Sequence, residues 1–515
     1  MIAQAAIVCI AMWVGSTGQA QVELGAGVNV PSNLPNLGDG VDMSPSAERR
    51  LGDRIARELY RDPDYLDDPV IMEYVQGIWQ PLLAAARQRG ELTPEMDSVY
   101  AWEVLLGRDR TVNAFALPGA YLGLHLGLVG VVTSRDELAS VLAHELSHVT
   151  QRHISRSLAR QSEQAPWLLG AMILGVLAAS KSPDSANAMI VGGQAVAAQT
   201  QLNFSRDMER EADRIGLGVS TQAGFAPQGF VSMFEKLQQA SRLNDAGNFP
   251  YLRSHPLTTE RMADMQARLP VPPNTTGSQQ SMLHSMVAAR ARVLSNSSID
   301  ALRVWAVEVA PEHLSRLFPA QQAGALYGAT LAAIKQRDFA QAQTLWLQLQ
   351  NCARGEAAPA RLVRLLGAEL GLAKGDGAAA LEALRPVSER STSHDRATAM
   401  ARAELLLTAQ AQQTGAPEAA IQSLQARVAE HPRDASAWQL LSTLYAAQGR
   451  VVSSIRAQAE VDMAQLDYPA ALVRFKAAQD MVRKSGATVD HIEASIVDTR
   501  TRQVESTVRE QALER

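Results

Sequence analysis

Val141-Leu-Ala-His-Glu-Leu-Ser-His-Val149 sets two histidines four residues apart inside an apolar run, with a glutamate directly after the first. Ser134 stands three residues before Glu137, the spacing of a capping box. Leu138, Val141, Leu142 and Val149 follow at helical spacing, so the stretch lies on a helix. Residues four apart share a helix face, so His144 and His148 can reach one metal ion. Glu145 sits about 100° round and reaches a water beside that ion rather than the ion itself. This is the zincin arrangement of two imidazole ligands and a carboxylate base. Chance alone yields this pattern in roughly one such chain in a hundred, so a third ligand is needed to decide the matter.

A metzincin would place Gly and His where Gln151 and Ile154 stand, which excludes that class. His153 then reads as a surface residue. A better third ligand lies downstream, in Asn203-Phe-Ser-Arg-Asp-Met-Glu-Arg-Glu-Ala-Asp-Arg-Ile-Gly216. Glu209 and Asp213 are again four apart. Glu209 can complete a two-His, one-Glu zinc site with an open position for water. Asp213, one turn on, can accept a hydrogen bond from a ligand imidazole and fix its tautomer. Glu211 points elsewhere on this helix and reads as solvated, as charged helix faces ordinarily are.

Upstream, residues 99–106 (VYAWEVLL) and 111–117 (TVNAFAL) read as strands joined by the turn Gly107-Arg-Asp-Arg110. Pro118-Gly119 stops the second strand, and a Pro-terminated strand is often an edge strand. An edge offers unpaired backbone groups on which an extended peptide can dock. Residues 166–179 (PWLLGAMILGVLAA) are apolar but fall short of the roughly 20 residues that span a bilayer. With residues 186–198 they read as a buried helical hairpin, or as a flap over the site with peripheral membrane contact.

The chain has 515 residues, 46% hydrophobic and 20% charged, enough for two or three domains with ample core. A net charge of −5 argues against nucleic acid as a partner. Residues 1–20 carry a short apolar core at Ile7–Val14 and small residues at Gly18 and Ala20, the pattern of a signal peptide cleaved before Gln21. The n-region lacks Lys and Arg, which leaves an N-terminal anchor as the alternative. Cys9 falls in that segment and leaves Cys352 alone, so no intrachain disulfide forms after cleavage. Export without disulfides fits the bacterial periplasm. Residues 45–268 form the expected peptidase domain, residues 269–281 (LPVPPNTTGSQQS) a linker, and residues 282–515 a helical repeat domain. Trp438, Leu441, Tyr445 and Gly449 match a degenerate tetratricopeptide pattern. The expected fold is mainly α: a zincin-type α+β metallopeptidase domain with a small edge-strand sheet, followed by an α-helical tetratricopeptide-like repeat domain.

His144-Glu-Leu-Ser-His148 followed by Glu209-Arg-Glu-Ala-Asp213 resembles the HtpX and CAAX-prenyl-endopeptidase family of gluzincins. Its soluble, exported, repeat-bearing BepA-like branch is the most similar part. Asn113-Ala-Phe-Ala-Leu-Pro-Gly119, Gly224-Phe-Ala-Pro227, and His255-Pro256 with Arg261 after them also look like family segments. The resemblance implies one zinc per chain held by His144, His148 and Glu209, with Glu145 as base and Asp213 in support. It implies substrate binding along Asn113, Ala114, Phe115 and Ala116. It also implies that His255 either fills zinc's open position and keeps the enzyme latent, or stabilises the oxyanion. The implied clients are outer-membrane β-barrel proteins, the implied partner is the barrel-assembly machinery, and the implied role joins chaperone-like help with degradation of misassembled clients. Two other readings stay open: a repeat-based assembly chaperone with a latent protease, and a general periplasmic protease.

Overall fold

The computed structural model describes residues 43–161, 205–242, 249–269, 281–388, 395–407, 417–485 and 490–513. The expected signal segment 1–20, the apolar stretches 166–179 and 186–198, and nearly all of the expected linker lie outside the described residues.

Three helices open the fold: α1 (Pro45–Tyr60), α2 (Pro69–Gln88) and α3 (Pro94–Val99). Each begins on a Ser, Asp or Thr whose side chain accepts a backbone N–H of the first turn, with Pro close behind. The sheet follows. It contains β1 (Tyr65–Leu66), β2 (Glu103–Gly107), β3 (Ala114–Leu117) and β4 (Tyr121–His125), in the order β1-β2-β4-β3. Strand β3 is an edge, as Pro118 suggests. The two expected strands are not neighbours, however. Strand β4 lies between them, parallel to β2 and antiparallel to β3. It is buried along its whole length, so it shows no polar alternation to read. The strand expected from Val99 starts at Glu103, because Thr93 caps α3 through Val99 and Trp102 takes a left-handed φ of 51°. The strand expected from Thr111 starts at Ala114.

Helix α4 (Leu126–Val131) leads into α5 (Arg135–Thr150), which carries the two histidines. Ser134 caps α5 by accepting from the Glu137 N–H at 3.1 Å. The Glu137 carboxylate overshoots the cap and accepts from Thr133 N–H at 2.7 Å, so the capping box is displaced by one residue. Helices α6 (His153–Gln161), α7 (Arg206–Gln222), α8 (Gln228–Arg242), α9 (Tyr251–Ser254) and α10 (Thr259–Arg268) complete this part. Helix α7 lies against α5, with Gly216 close to the backbone of Ala143 and His144.

From Met282 onward the described elements are helices, and from Pro319 each packs on the next in sequence. These helices also return to the first part. The apolar core runs without interruption from Val70 through Leu142 and Met286 to Leu405. A row of ion pairs lines the same junction: Arg290 with Asp68 at 2.7 Å, Arg361 with Glu73 at 2.6 Å, Arg396 with Asp67 at 2.5 Å, and Arg433 with Glu103 at 2.6 Å. Among the described residues no helix is long and apolar enough to cross a membrane.

Candidate active site

Helix α5 is buried on every side at its middle, including the polar His144, Glu145, Ser147 and His148. Polar groups survive such burial only with partners. The imidazole Nε2 atoms of His144 and His148 lie 3.0 Å apart. Glu209, on the facing helix α7, brings Oε1 to 3.4 Å from His148 Nε2 and Oε2 to 3.5 Å from His144 Nε2. His255 follows the last turn of α9. Its Nδ1 is 3.3 Å from His144 Nε2 and 3.1 Å from Glu209 Oε1. One donor atom from each of these four residues lies within 4.8 Å of all the others, and all four residues are buried.

The carboxylates of this cluster stay ionised in spite of their burial. Burial opposes ionisation of Glu209, but His255, His144 and His148 hold its carboxyl well below the usual range. Burial likewise opposes ionisation of Asp213, and Arg261 with His144 outweighs it. Burial also disfavours a charged His144, yet Asp213 and Glu209 raise its pKa to about 10. Two ionised carboxylates thus face the converging imidazoles and the Arg261 guanidinium. Glu145 Oε1 and Glu209 Oε2 are buried and make no hydrogen bond. Both lie at ion-pair range instead, Glu209 Oε2 of Arg261 and Glu145 Oε1 of His255, and carboxylate oxygens beside clustered imidazole nitrogens are the donor set of a metal site.

Glu145 points across the cluster. Its Oε2 accepts from the Ala116 N–H of edge strand β3 at 3.0 Å, and its Oε1 is 3.3 Å from His255 Nε2. Burial raises its carboxyl pKa above the ordinary value. Asn113 C=O accepts from His125 N–H at 3.0 Å, so by strand alternation Ala114 and Ala116 face outward from the sheet while Asn113 and Phe115 face β4. The Phe115 ring covers Gly123, where a Cβ would come within 2.2 Å of it.

The groups behind the cluster were only partly foreseen. Asp213 Oδ1 lies 2.9 Å from His144 Nδ1, at ion-pair range but off hydrogen-bonding geometry. Arg261 grips the same carboxylate with two bonds of 2.6 and 2.8 Å and reaches Glu209 at 2.8 Å. It lies near the start of α10. His153 is not a surface residue. It is fully buried, with Nδ1 2.9 Å from His148 Nδ1 and Nε2 3.0 Å from Glu211 Oε2. Glu211 is correspondingly not a freely solvated side chain: it also pairs with Arg156 at 3.0 Å. Tyr251 is buried against His255 with ring centroids 4.6 Å apart, and its N–H reaches Val112 C=O at 3.3 Å.

Residues 77–269 match the model of peptidase family M48. This chain carries an M48 peptidase domain. It is similar to the β-barrel assembly-enhancing protease of Yersinia pestis, at 29% identity over 83% of this chain and 83% of the relative. It is also similar to the protein of that name from Escherichia coli, at 32% identity over 46% of this chain and 47% of the relative. Against the mitochondrial metalloendopeptidase OMA1 of Saccharomyces cerevisiae it shows 28% identity over 38% of this chain and 55% of the relative. The match therefore spans about half the length of the E. coli and yeast relatives. Within the M48 domain lie both histidines of α5, all of α7, and His255 and Arg261. The stretch that matches the family also holds the donor cluster that fits a metal ion.

Proposed function

We propose that this chain is a zinc endopeptidase of the periplasm that serves assembly and quality control of outer-membrane β-barrel proteins. The observation that carries the catalytic reading is the placement of Glu145 between the four-residue donor cluster and the outer edge of β3. Zinc suits the cluster. Tetrahedral zinc with bonds of about 2.0–2.1 Å separates its ligands by roughly 3.3 Å. The nearest donor pairs here are 3.0 to 3.5 Å apart, and one atom from each of the four residues lies within 4.8 Å of the others. His144, His148 and Glu209 are the proposed ligands, and Arg261 and Asp213 hold Glu209 and His144 in place.

When bound, zinc supplies the Lewis acidity that makes water a nucleophile near neutral pH. Glu145 takes the proton from a water at the open side of the cluster and returns it to the leaving amine. Its raised carboxyl pKa suits it to carry that proton between the two steps. An extended client would pair with the outward backbone of Ala114 and Ala116. Glu145 would release the Ala116 N–H as the client arrives, coupling docking to the base.

The clients rest on the names of relatives that are β-barrel assembly-enhancing proteases, and the location on the signal-like segment 1–20. The helices after residue 281 would offer clients or the assembly machinery an extended surface. The test is Glu145→Gln in the full chain. Metal content should stay and cleavage of an unfolded protein should fall by about 10²-fold or more. Undiminished cleavage would remove Glu145 as the base. Crosslinked complexes of the same variant from the cell envelope should contain β-barrel proteins, whereas a random sample of periplasmic proteins would favour the general protease.

A further inference from the structure

We propose that His153 is a positioning residue: anchored by Glu211, it fixes the tautomer and ring orientation of His148 so that His148 Nε2 faces the metal cluster. The proposal rests on the reading of His148 as a ligand.

Hydrogen-bond bookkeeping carries it. His148 is fully buried and its Nε2 faces His144 and Glu209, so only Nδ1 is left for an outer partner. That partner is His153 Nδ1 at 2.9 Å. Two ring nitrogens at this distance need one proton between them. The far side of His153 decides which of them carries it. His153 Nε2 is 3.0 Å from Glu211 Oε2, and Arg156 pairs with that carboxylate at 3.0 Å. An ionised carboxylate only accepts, so His153 Nε2 carries the proton. On the neutral ring Nδ1 is then the acceptor, and it takes the hydrogen bond from His148 Nδ1–H. That leaves the His148 Nε2 lone pair directed into the cluster, as a ligand imidazole requires. A carboxylate at the rim thus sets the donor state of an imidazole two links inward.

The backbone is bent to make this contact. On a straight helix, residues five apart point about 140° from one another. Helix α5 stops at Thr150, and Arg152 adopts a left-handed φ of 53° before α6 begins at His153. That reversal folds His153 back over His148. A non-glycine residue seldom adopts this conformation unless its surroundings hold it there. Its side chain is held by Glu48 Oε1 at 2.8 Å and Ser155 Oγ at 3.2 Å, which keeps the bend in place. His144 has a different arrangement, with Asp213 and Arg261 behind its Nδ1. Each α5 histidine therefore has its own carboxylate–arginine anchor, and that of His148 acts through a second imidazole.

The experiment measures zinc affinity of the full chain by chelator competition, together with the visible absorption of the cobalt form. His153→Ala should weaken zinc binding roughly 10- to 100-fold, as loss of an outer partner does, and alter the cobalt spectrum. His153→Gln should restore most of the affinity, because its amide can accept from His148 and donate to Glu211. Glu211→Ala, at a side chain 29% exposed, tests the outer link without emptying the core and should also weaken binding. It decides the matter if His153→Ala does not fold. Affinity equal to the parent in either alanine variant would overturn the relay, as would a failure of glutamine to rescue. A parent chain that binds no zinc would overturn the ligand reading of His148 beneath it.

Discussion

His255 is the residue at which two chemistries meet. Its Nδ1 lies 3.1 Å from Glu209 and its Nε2 3.3 Å from Glu145, so it stands between a proposed ligand and the proposed base. If it fills the open position, no water is activated there, and His255→Ala should keep its metal while basal proteolysis rises, self-cleavage included. If it stabilises the oxyanion, the same change should lower turnover by roughly 10²-fold. The separations favour the first outcome, and one rate measurement separates the two by sign. Arg261 supports a prediction on stability. It is buried at 4% exposure between Glu209 and Asp213, and removing one partner of a buried ion pair costs about 3–5 kcal/mol. Arg261→Ala should therefore melt well below the parent in a thermal scan; an unchanged midpoint would show that the two carboxylates find other partners. Helical spacing put forward His144, Glu145, His148, Glu209 and Asp213 as candidates, and the family resemblance gave them roles. It named Arg261 only as part of a similar segment and hid the contacts of His153 and Tyr251, because nothing local tells a buried side chain of these types from an exposed one.

At the scale of elements, α5 and α7 were legible because each has a cap, a period and chemistry on one face. The sheet was less so. Strand β4 is buried throughout and only five residues long, so its pattern merges with the helix that follows. The bend at Arg152 also left no sign, since arginine seldom takes a left-handed φ, and His153 was misread for that reason. Gly216 shows how the two main helices depend on each other. A Cβ placed there would lie 3.1 Å from the backbone of Ala143 and His144. Glu209, Asp213 and Gly216 lie on one face of α7. Gly216→Leu should push α7 from α5 and carry Glu209 away from the histidines. Zinc affinity should fall by an order of magnitude or more while far-ultraviolet circular dichroism stays near that of the parent. Full affinity would mean that α7 can slide without moving Glu209.

At the scale of the molecule, the helical character after Met282 was plain from alanine-rich amphipathic runs, but the return of those helices to the first part was not. No local pattern marks Arg290, Arg361, Arg396 and Arg433, and only the fold reveals acidic partners between Asp67 and Glu103. This junction has a pH dependence whose sign follows from its carboxylates. Burial opposes ionisation of Asp68, but Arg290 and the Ile71 N–H lower its pKa below the usual value. Burial opposes ionisation of Asp434 too, and Arg396 and Arg427 lower it. A carboxyl whose folded pKa is depressed binds its proton more readily unfolded. Its contribution is therefore complete above the unfolded value of about 3.9 and is lost as pH falls through the folded one. Denaturant midpoints of the chain should accordingly hold steady from neutral pH to about pH 5 and drop steeply below pH 4. Asp68→Asn removes one of these carboxylates and leaves the buried Arg290 with Glu369 at 2.9 Å as its remaining acid. That variant should be weaker than the parent at pH 7 by about 3 kcal/mol or more, and the gap should narrow as pH approaches 3, where the parent also loses the charge. A gap that stays constant across that range would show that the Asp68–Arg290 charge pair adds nothing to the hold between the two parts of the chain.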